Sequence, residues 1–308
     1  MSYYTGTATD YLDLLDIIAA KALLNDWVLV EDKRPTTPQI ILKGEADSGT
    51  DEIYIGLLAY ANDLADLYGF YLQGYTGYQA GVAFHSQQGA IPNISPNFTP
   101  TVQLWNTSMP YWLVVNKRRI ICVVKISTLY FAFHLGYILP YASVGQYPYP
   151  LCIGGSNNVA GRYDAVGDPA SVFPITYQNG NLRLREQNGV WQNFSNFSNP
   201  NSSNTWLNRK GTFPYAENRI SSYVGWKNEL KVPNSGGDIF NIQPILIFES
   251  SGVNNSKGNI YGQFDGLFHI GGLDNASENT FNIGGNDYMV FQNIYRTSPQ
   301  DFFAMRLT

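Results

Sequence analysis

Tyr111-Trp-Leu-Val-Val115, Asn116-Lys-Arg-Arg119, Ile120-Ile-Cys-Val-Val-Lys-Ile-Ser127 and Leu129-Tyr-Phe-Ala-Phe-His-Leu135 run almost end to end. Two β-branched runs around a short polar turn predict a β-hairpin. Gly136-Tyr-Ile-Leu-Pro-Tyr-Ala-Ser-Val-Gly-Gln-Tyr-Pro-Tyr-Pro-Leu-Cys-Ile-Gly-Gly155 follows. It holds too many prolines for a helix or a central strand, and too many aromatics for a floppy linker. It is expected to be an ordered loop packed against something, with another chain as a candidate. Its candidate contact residues are Tyr137, Tyr141, Tyr147, Pro148, Tyr149 and Pro150. The densest basic cluster, Lys117-Arg118-Arg119, falls at the hairpin tip. A solvated turn is its plain reading; a phosphate or partner contact is the other.

Upstream, Thr9 or Asp10 can cap a helix in which Leu12, Leu15, Ile18, Ala19, Ala22 and Leu23 share one face, ending near Asn25-Asp26. Strands are expected at 27–31, 39–43, 52–60, 70–78 and 102–105, with loop from Gln79 to Pro100. Downstream, residues 156–240 are rich in Asn, Ser and Gly with isolated aromatics, and read as a loop-rich insertion or subdomain. Within it, Leu182–Glu186 and Val190–Phe194 flank Asn188-Gly189 as a second hairpin. Strands return at 239–248, at 259–270 with a Gly bulge or kink, at 280–283, at 288–295 and at the end of the chain. The fold class is therefore α+β, mainly antiparallel β with a sandwich-like sheet core. It has one N-terminal amphipathic helix and long Asn/Gly/Ser-rich loops, in a single domain over 1–308.

Composition narrows the function. Charged residues are 14% of the chain against roughly 25% on average, and aromatics reach 15% with 22 Tyr. Interface cores lose charge and gain aromatics, so a surface covered by partners fits; an all-β domain with long polar loops fits equally. A net charge of -5 argues against a nucleic-acid surface. No apolar run reaches the roughly 18–20 residues of a membrane-spanning helix. The first residues lack the basic start and apolar core of a signal peptide, so synthesis in a cytoplasm without an export address is expected. Cys122 and Cys152 read as buried free thiols, with a disulfide as the alternative.

Candidate chemistry is sparse. His85, His134 and His269 show no metal-ligand spacing, and there is no CxxC, P-loop, dinucleotide fingerprint or nucleophile elbow. No catalytic residue, metal or cofactor is expected. Asp265 lies four residues before His269, which in a regular strand places both on one face. Asp265 and Glu278 are the preferred acids should the chain be a polysaccharide hydrolase. Trp191 and Trp206 could stack on sugar rings; pinning long loops down is their plainer role.

Several stretches carry a family resemblance. Trp112–Thr128 with Leu135–Gly155 is the first, and Phe264–Thr280 with Gln292–Thr297 and Asp301–Met305 is the second. Together with Asp51–Gly56 and Gly69–Tyr78, they resemble a family of structural proteins of tailed-bacteriophage virions. The resemblance implies a non-enzymatic virion component of the tail or baseplate region, made in the host cytoplasm. Its implied partners are other tail or baseplate proteins and copies of itself in a ring or trimer, with no nucleic acid and no membrane insertion. A receptor- or carbohydrate-binding tail protein using the aromatics of 156–240 against a host-surface glycan is the alternative.

Overall fold

The computed structural model describes residues 1–34, 36–45, 52–92, 99–141, 151–156, 182–186, 188–194, 209–213, 231–232, 239–240, 242–251, 257–271, 275–294 and 302–308. The chain opens with β1 (Ser2–Ala8) and helix α1 (Tyr11–Leu23). Then β2 (Val28–Asp32), β3 (Gln39–Glu45), β4 (Glu52–Asn62), β5 (Leu67–Tyr75) and β6 (Thr101–Leu104) form a five-stranded antiparallel meander. The hairpin strands β7 (Met109–Asn116), β8 (Arg119–Ile126) and β9 (Leu129–Tyr137) come next, followed by the short β10 (Leu139–Pro140). With β11 (Leu151–Gly154), β12 (Leu182–Arg185) and β13 (Trp191–Asn193) they build a seven-stranded sheet ordered β1-β7-β8-β9-β11-β12-β13. β10 leaves that sheet for the next one.

That next sheet begins with β14 (Arg209–Phe213); β15 (Lys231–Val232) and β16 (Ile239–Phe240) pair with each other elsewhere. It continues through β17 (Gln243–Ser251), β18 (Lys257–Ile270), β19 (Thr280–Ile283), β20 (Asn286–Gln292) and β21 (Phe302–Arg306). Its order is β14-β17-β18-β21-β20-β19, with β10 on the edge of β18.

The seven-stranded sheet is the middle layer, which explains why 111–135 is apolar without alternation. Successive side chains of a strand point to opposite faces, and here both faces are covered. Leu113, Val115, Ile120, Cys122, Val124, Phe131, Phe133 and Leu135 enter one core with α1 and the inner face of the five-stranded sheet. Trp112, Val114, Ile121, Val123 and Ala132 enter a second core with Ile245, Ile247, Phe264, Leu267, Phe291, Phe303 and Met305 of the third sheet. A strand that meets hydrocarbon on both sides has no solvent face on which to place a charge. The sandwich-like core is thus two sheet interfaces stacked on a shared middle. Ile294, held at φ 45, crosses from the third sheet into the first core, its N–H donating to the Tyr130 carbonyl at 3.3 Å. A β-branched residue at positive φ is strained, so the packing of that side chain must outweigh the strain.

The helix forms where its capping residue sets it. The Asp10 carboxylate accepts from the N–H groups of Leu12 and Asp13 at 2.8 Å each, and Asp13 reaches back to the Thr9 N–H. Its buried face is Leu14, Leu15, Ile18, Ala19 and Ala22; Leu12 and Leu23, expected on that face, are 40% and 48% exposed. Other expectations also shift. β1 pairs along its whole length with β7, although no strand is expected there. Its Ser-Tyr-Tyr-Thr-Gly-Thr-Ala run has no apolar period because this edge strand is only partly buried. Cys152, expected in a loop, lies in β11 inside the middle sheet. The strands of 182–193 and 209–213 extend the middle and third sheets; most of 156–240 lies outside the described residues.

Candidate functional site

Arg119 does not sit on a solvated tip. It is the first residue of β8, its side chain fully buried, facing the second core on the same side as Ile121 and Val123. The turn itself is Lys117-Arg118, and Asn116 organises it: its Oδ1 accepts from the N–H groups of Arg118 and Arg119 at 2.9 Å each. The same residue ties the layers together. Its carbonyl accepts from Trp27 Nε1 at 2.7 Å, and its Nδ2 donates to Asp265 Oδ2 at 3.4 Å. Lys117 Nζ reaches Glu45 of β3 at 3.2 Å. The hairpin tip is therefore where all three layers are fastened.

Two glycines make room around Arg119, one against its backbone and one against its side chain. Gly136, opposite Arg119 in β9, holds φ 122, and a Cβ there would lie 2.2 Å from the Arg118 carbonyl. Gly266 holds φ 84, and a Cβ there would lie 2.6 Å from Arg119 Nη2. Gly266 belongs to a bulge: Leu246 pairs with Gln263 and Pro244 with Phe268, so β18 carries extra residues against β17. At this bulge the edge partner of β18 changes from β10 to β21. Bulges re-aim side chains, and this one turns Asp265 toward Arg119. It also ends the simple alternation that predicts an Asp265–His269 pair.

The charges converge as follows. Arg119 Nε donates to Asp265 Oδ2 at 2.7 Å, and Arg306 Nη2 of β21 donates to Oδ1 at 3.1 Å. Among the described residues, Arg119 Nη2 meets only the thioether of Met1, at 3.0 Å, and Nη1 has no partner. Burial works to raise the Asp265 pKa, but Arg119 and Arg306 outweigh it and hold the carboxyl below its ordinary value. Burial likewise pulls the Arg119 guanidinium down. His134, on the same face of the middle sheet, donates its ring Nδ1–H to the Cys152 carbonyl at 3.1 Å and packs edge-on to Phe264. Burial first, and Arg119 second, push its pKa down to about 3, so it is neutral in the fold.

The expected acids do not converge. Asp265 is engaged by two arginines, while Glu278 accepts from Lys125 Nζ and Tyr130 Oη at 2.6 Å each. Arg119 and Lys125 mark opposite ends of β8, six residues apart, so the two carboxylates lie on the order of 20 Å apart along the strand. Glycosidase pairs are roughly 5–9.5 Å apart. Cys122 and Cys152 are both free and face opposite cores, which rules out a bond between them in this fold.

Of the candidate contact residues, Tyr137 is 3% exposed and packs in the first core, so its ring anchors the segment from inside. Tyr141 is 55% exposed, donating its hydroxyl to Gln263 Oε1 at 2.8 Å and its N–H to the Tyr261 carbonyl. Tyr147, Pro148, Tyr149 and Pro150 lie outside the described residues, as does Trp206. Trp191 donates Nε1 to the Gly89 carbonyl at 2.8 Å, and its ring lies so close over Gly74 that a Cβ there would be 2.8 Å away. It pins the 76–92 loop to the middle sheet. Sequence reasoning missed Asn116, Gly266 and Arg306. A signal existed for Arg119, because Arg119, Ile121 and Val123 share one face of β8. Among the described residues there is no His/Cys/Asp/Glu group suited to a metal, and no helix is long and apolar enough to cross a membrane. No protein-family model and no curated protein matches this chain.

Proposed function

We propose that this chain is a non-enzymatic structural component of a tailed-phage virion, in the tail or baseplate region. It works by oligomeric assembly, as a ring or trimer, and by attaching neighbouring tail proteins. The observation that carries the reading is how the Tyr/Pro segment is mounted. One end leaves the third sheet at Pro140, paired to Gly262 of β18; the other enters the middle sheet at Leu151, paired to Tyr137 of β9. The segment begins beside the hairpin tip, where the Tyr137 N–H donates to the Arg118 carbonyl at 2.9 Å. A neighbour docked on 141–150 would therefore pull on two sheets at their common fastening, as a part that transmits load requires. The low charge, the abundance of Tyr and the resemblance carried by 112–128, 135–155, 264–280, 292–297 and 301–305 support the same reading.

Virion parts are commonly symmetric homo-oligomers, so the native mass of the purified chain is the first measurement. A multiple of the chain mass, reduced by Tyr141→Ser or by deletion of 142–150, is the expected result. A stable monomer with no affinity for the other tail proteins of the same particle would overturn the proposal.

A further inference from the structure

The hairpin-tip charge centre is unbalanced: two guanidinium groups share one carboxylate. Arg119 is fully buried, and beyond its bond to Asp265 it has, among the described residues, Nη1 without an acceptor and Nη2 against a thioether, a weak acceptor. The Nε of Arg306 is also buried without an acceptor among the described residues. Buried donors left unpaired are costly, and excess buried charge costs more. Arginine presents Nη1 and Nη2 as a planar fork matched to the two oxygens of a carboxylate or phosphate. The side of Arg119 away from Asp265 is such a fork, and Met1 Sδ now rests against it. Met1 is 44% exposed on an unbranched, adaptable side chain, and Arg306 is 30% exposed, so both of these neighbours of the buried centre reach solvent.

From this geometry we infer that the Arg119–Arg306 centre is a binding site for a compact oxyanion of the phosphate class, entered by displacing the Met1 side chain. Arg119 would supply the Nη1/Nη2 fork and Arg306 the second cation. Asp265, held by Arg119 Nε, Arg306 Nη2 and Asn116 Nδ2, would keep both guanidiniums in place. Gly266 is required beneath the guanidinium because any Cβ would collide with it. The site does not depend on the assembly reading above, since it uses only groups of this chain.

The test is calorimetric titration of the full chain with inorganic phosphate at constant ionic strength, with chloride as the control anion. Saturable one-site binding is expected, weakened at least about tenfold in Arg306→Gln and partly restored in Arg306→Lys, in keeping with loss of a charge-assisted contact. No saturable heat with the native chain overturns the inference. So does binding that is unchanged in Arg306→Gln, because phosphate would then act elsewhere. Should Arg306→Gln fail to fold, the ¹⁵Nε resonance of Arg119 in the native chain replaces it. Movement of that resonance on saturation with phosphate supports the site, and a stationary resonance refutes it.

Discussion

Asp265→Asn keeps the shape of the side chain and removes its charge, leaving Arg119 buried beside a neutral amide. At about 4 Å and an effective dielectric near 20, the lost attraction is about 4 kcal/mol. The Arg306 arm is partly exposed, so it adds about 1 kcal/mol or less. The variant no longer has to desolvate a carboxylate, which offsets part of the loss. A net destabilisation of about 3 kcal/mol follows, at the lower edge of the roughly 3–5 kcal/mol seen when one partner of a buried pair is removed. Urea unfolding followed by the fluorescence of the six tryptophans reads this as a lower midpoint at unchanged slope. Arg306→Gln should cost no more than about 1 kcal/mol. The dependence on pH fixes the cause. Asp265 has a depressed pKa in the fold, so its contribution is complete above the ordinary value near 4 and is lost as pH falls through the folded value. The native chain and Asp265→Asn should therefore converge in strong acid. A loss below about 1 kcal/mol at pH 7, or a gap that persists undiminished in acid, would refute the buried pair as the fastening of the third sheet.

Other measurements probe the neighbouring parts. His134 stays neutral in the fold, so below about pH 6.5 the unfolded chain takes up a proton that the folded chain refuses. Stability should then fall by up to about 1.4 kcal/mol per pH unit until the folded value near 3, and His134→Gln should flatten that slope. Burial raises the pKa of both thiols, so alkylation followed by mass spectrometry should leave Cys122 and Cys152 unmodified until denaturant is added. Trp191→Ala frees the Gly89 carbonyl and uncovers Gly74. Limited proteolysis should then cut within 76–92 before any other described segment, and an unchanged cleavage pattern would show that the loop holds itself.

Much of the β-architecture was legible because strands are written in short-range pattern. The hairpin of 111–135, the Asn188-Gly189 turn and the β18 strand all announce themselves by β-branched runs and turn residues. The mainly antiparallel class follows from those alone. What pattern does not carry is which faces are covered. A run apolar on both faces says that two layers must meet it, but not which segments supply them. β1 was invisible because an edge strand half in solvent needs no apolar period. Spacing places Leu12 and Leu23 on the helix face and leaves Leu14 off it, whereas the buried arc is set by what α1 lies on. Arg119 is the most instructive residue. Charge at a turn suggests solvent, yet its parity with Ile121 and Val123 places it in the core, and only the distant Asp265 makes that tolerable.

The doubly covered middle sheet also imposes a timetable on synthesis. Its first face is closed by α1 and β2–β6, all of which precede the hairpin in the chain. Its second face waits for β17 to β21, the last strands to be made. At roughly 5–20 residues per second, Trp112, Val114, Ile121 and Val123 stand uncovered on a half-made chain for on the order of 10–30 s. During that interval the nascent chain displays a flat apolar β-face to every neighbouring ribosome product, including copies of itself. Expression at low temperature or with a holding chaperone should therefore raise the soluble yield of this protein more than its final stability would suggest.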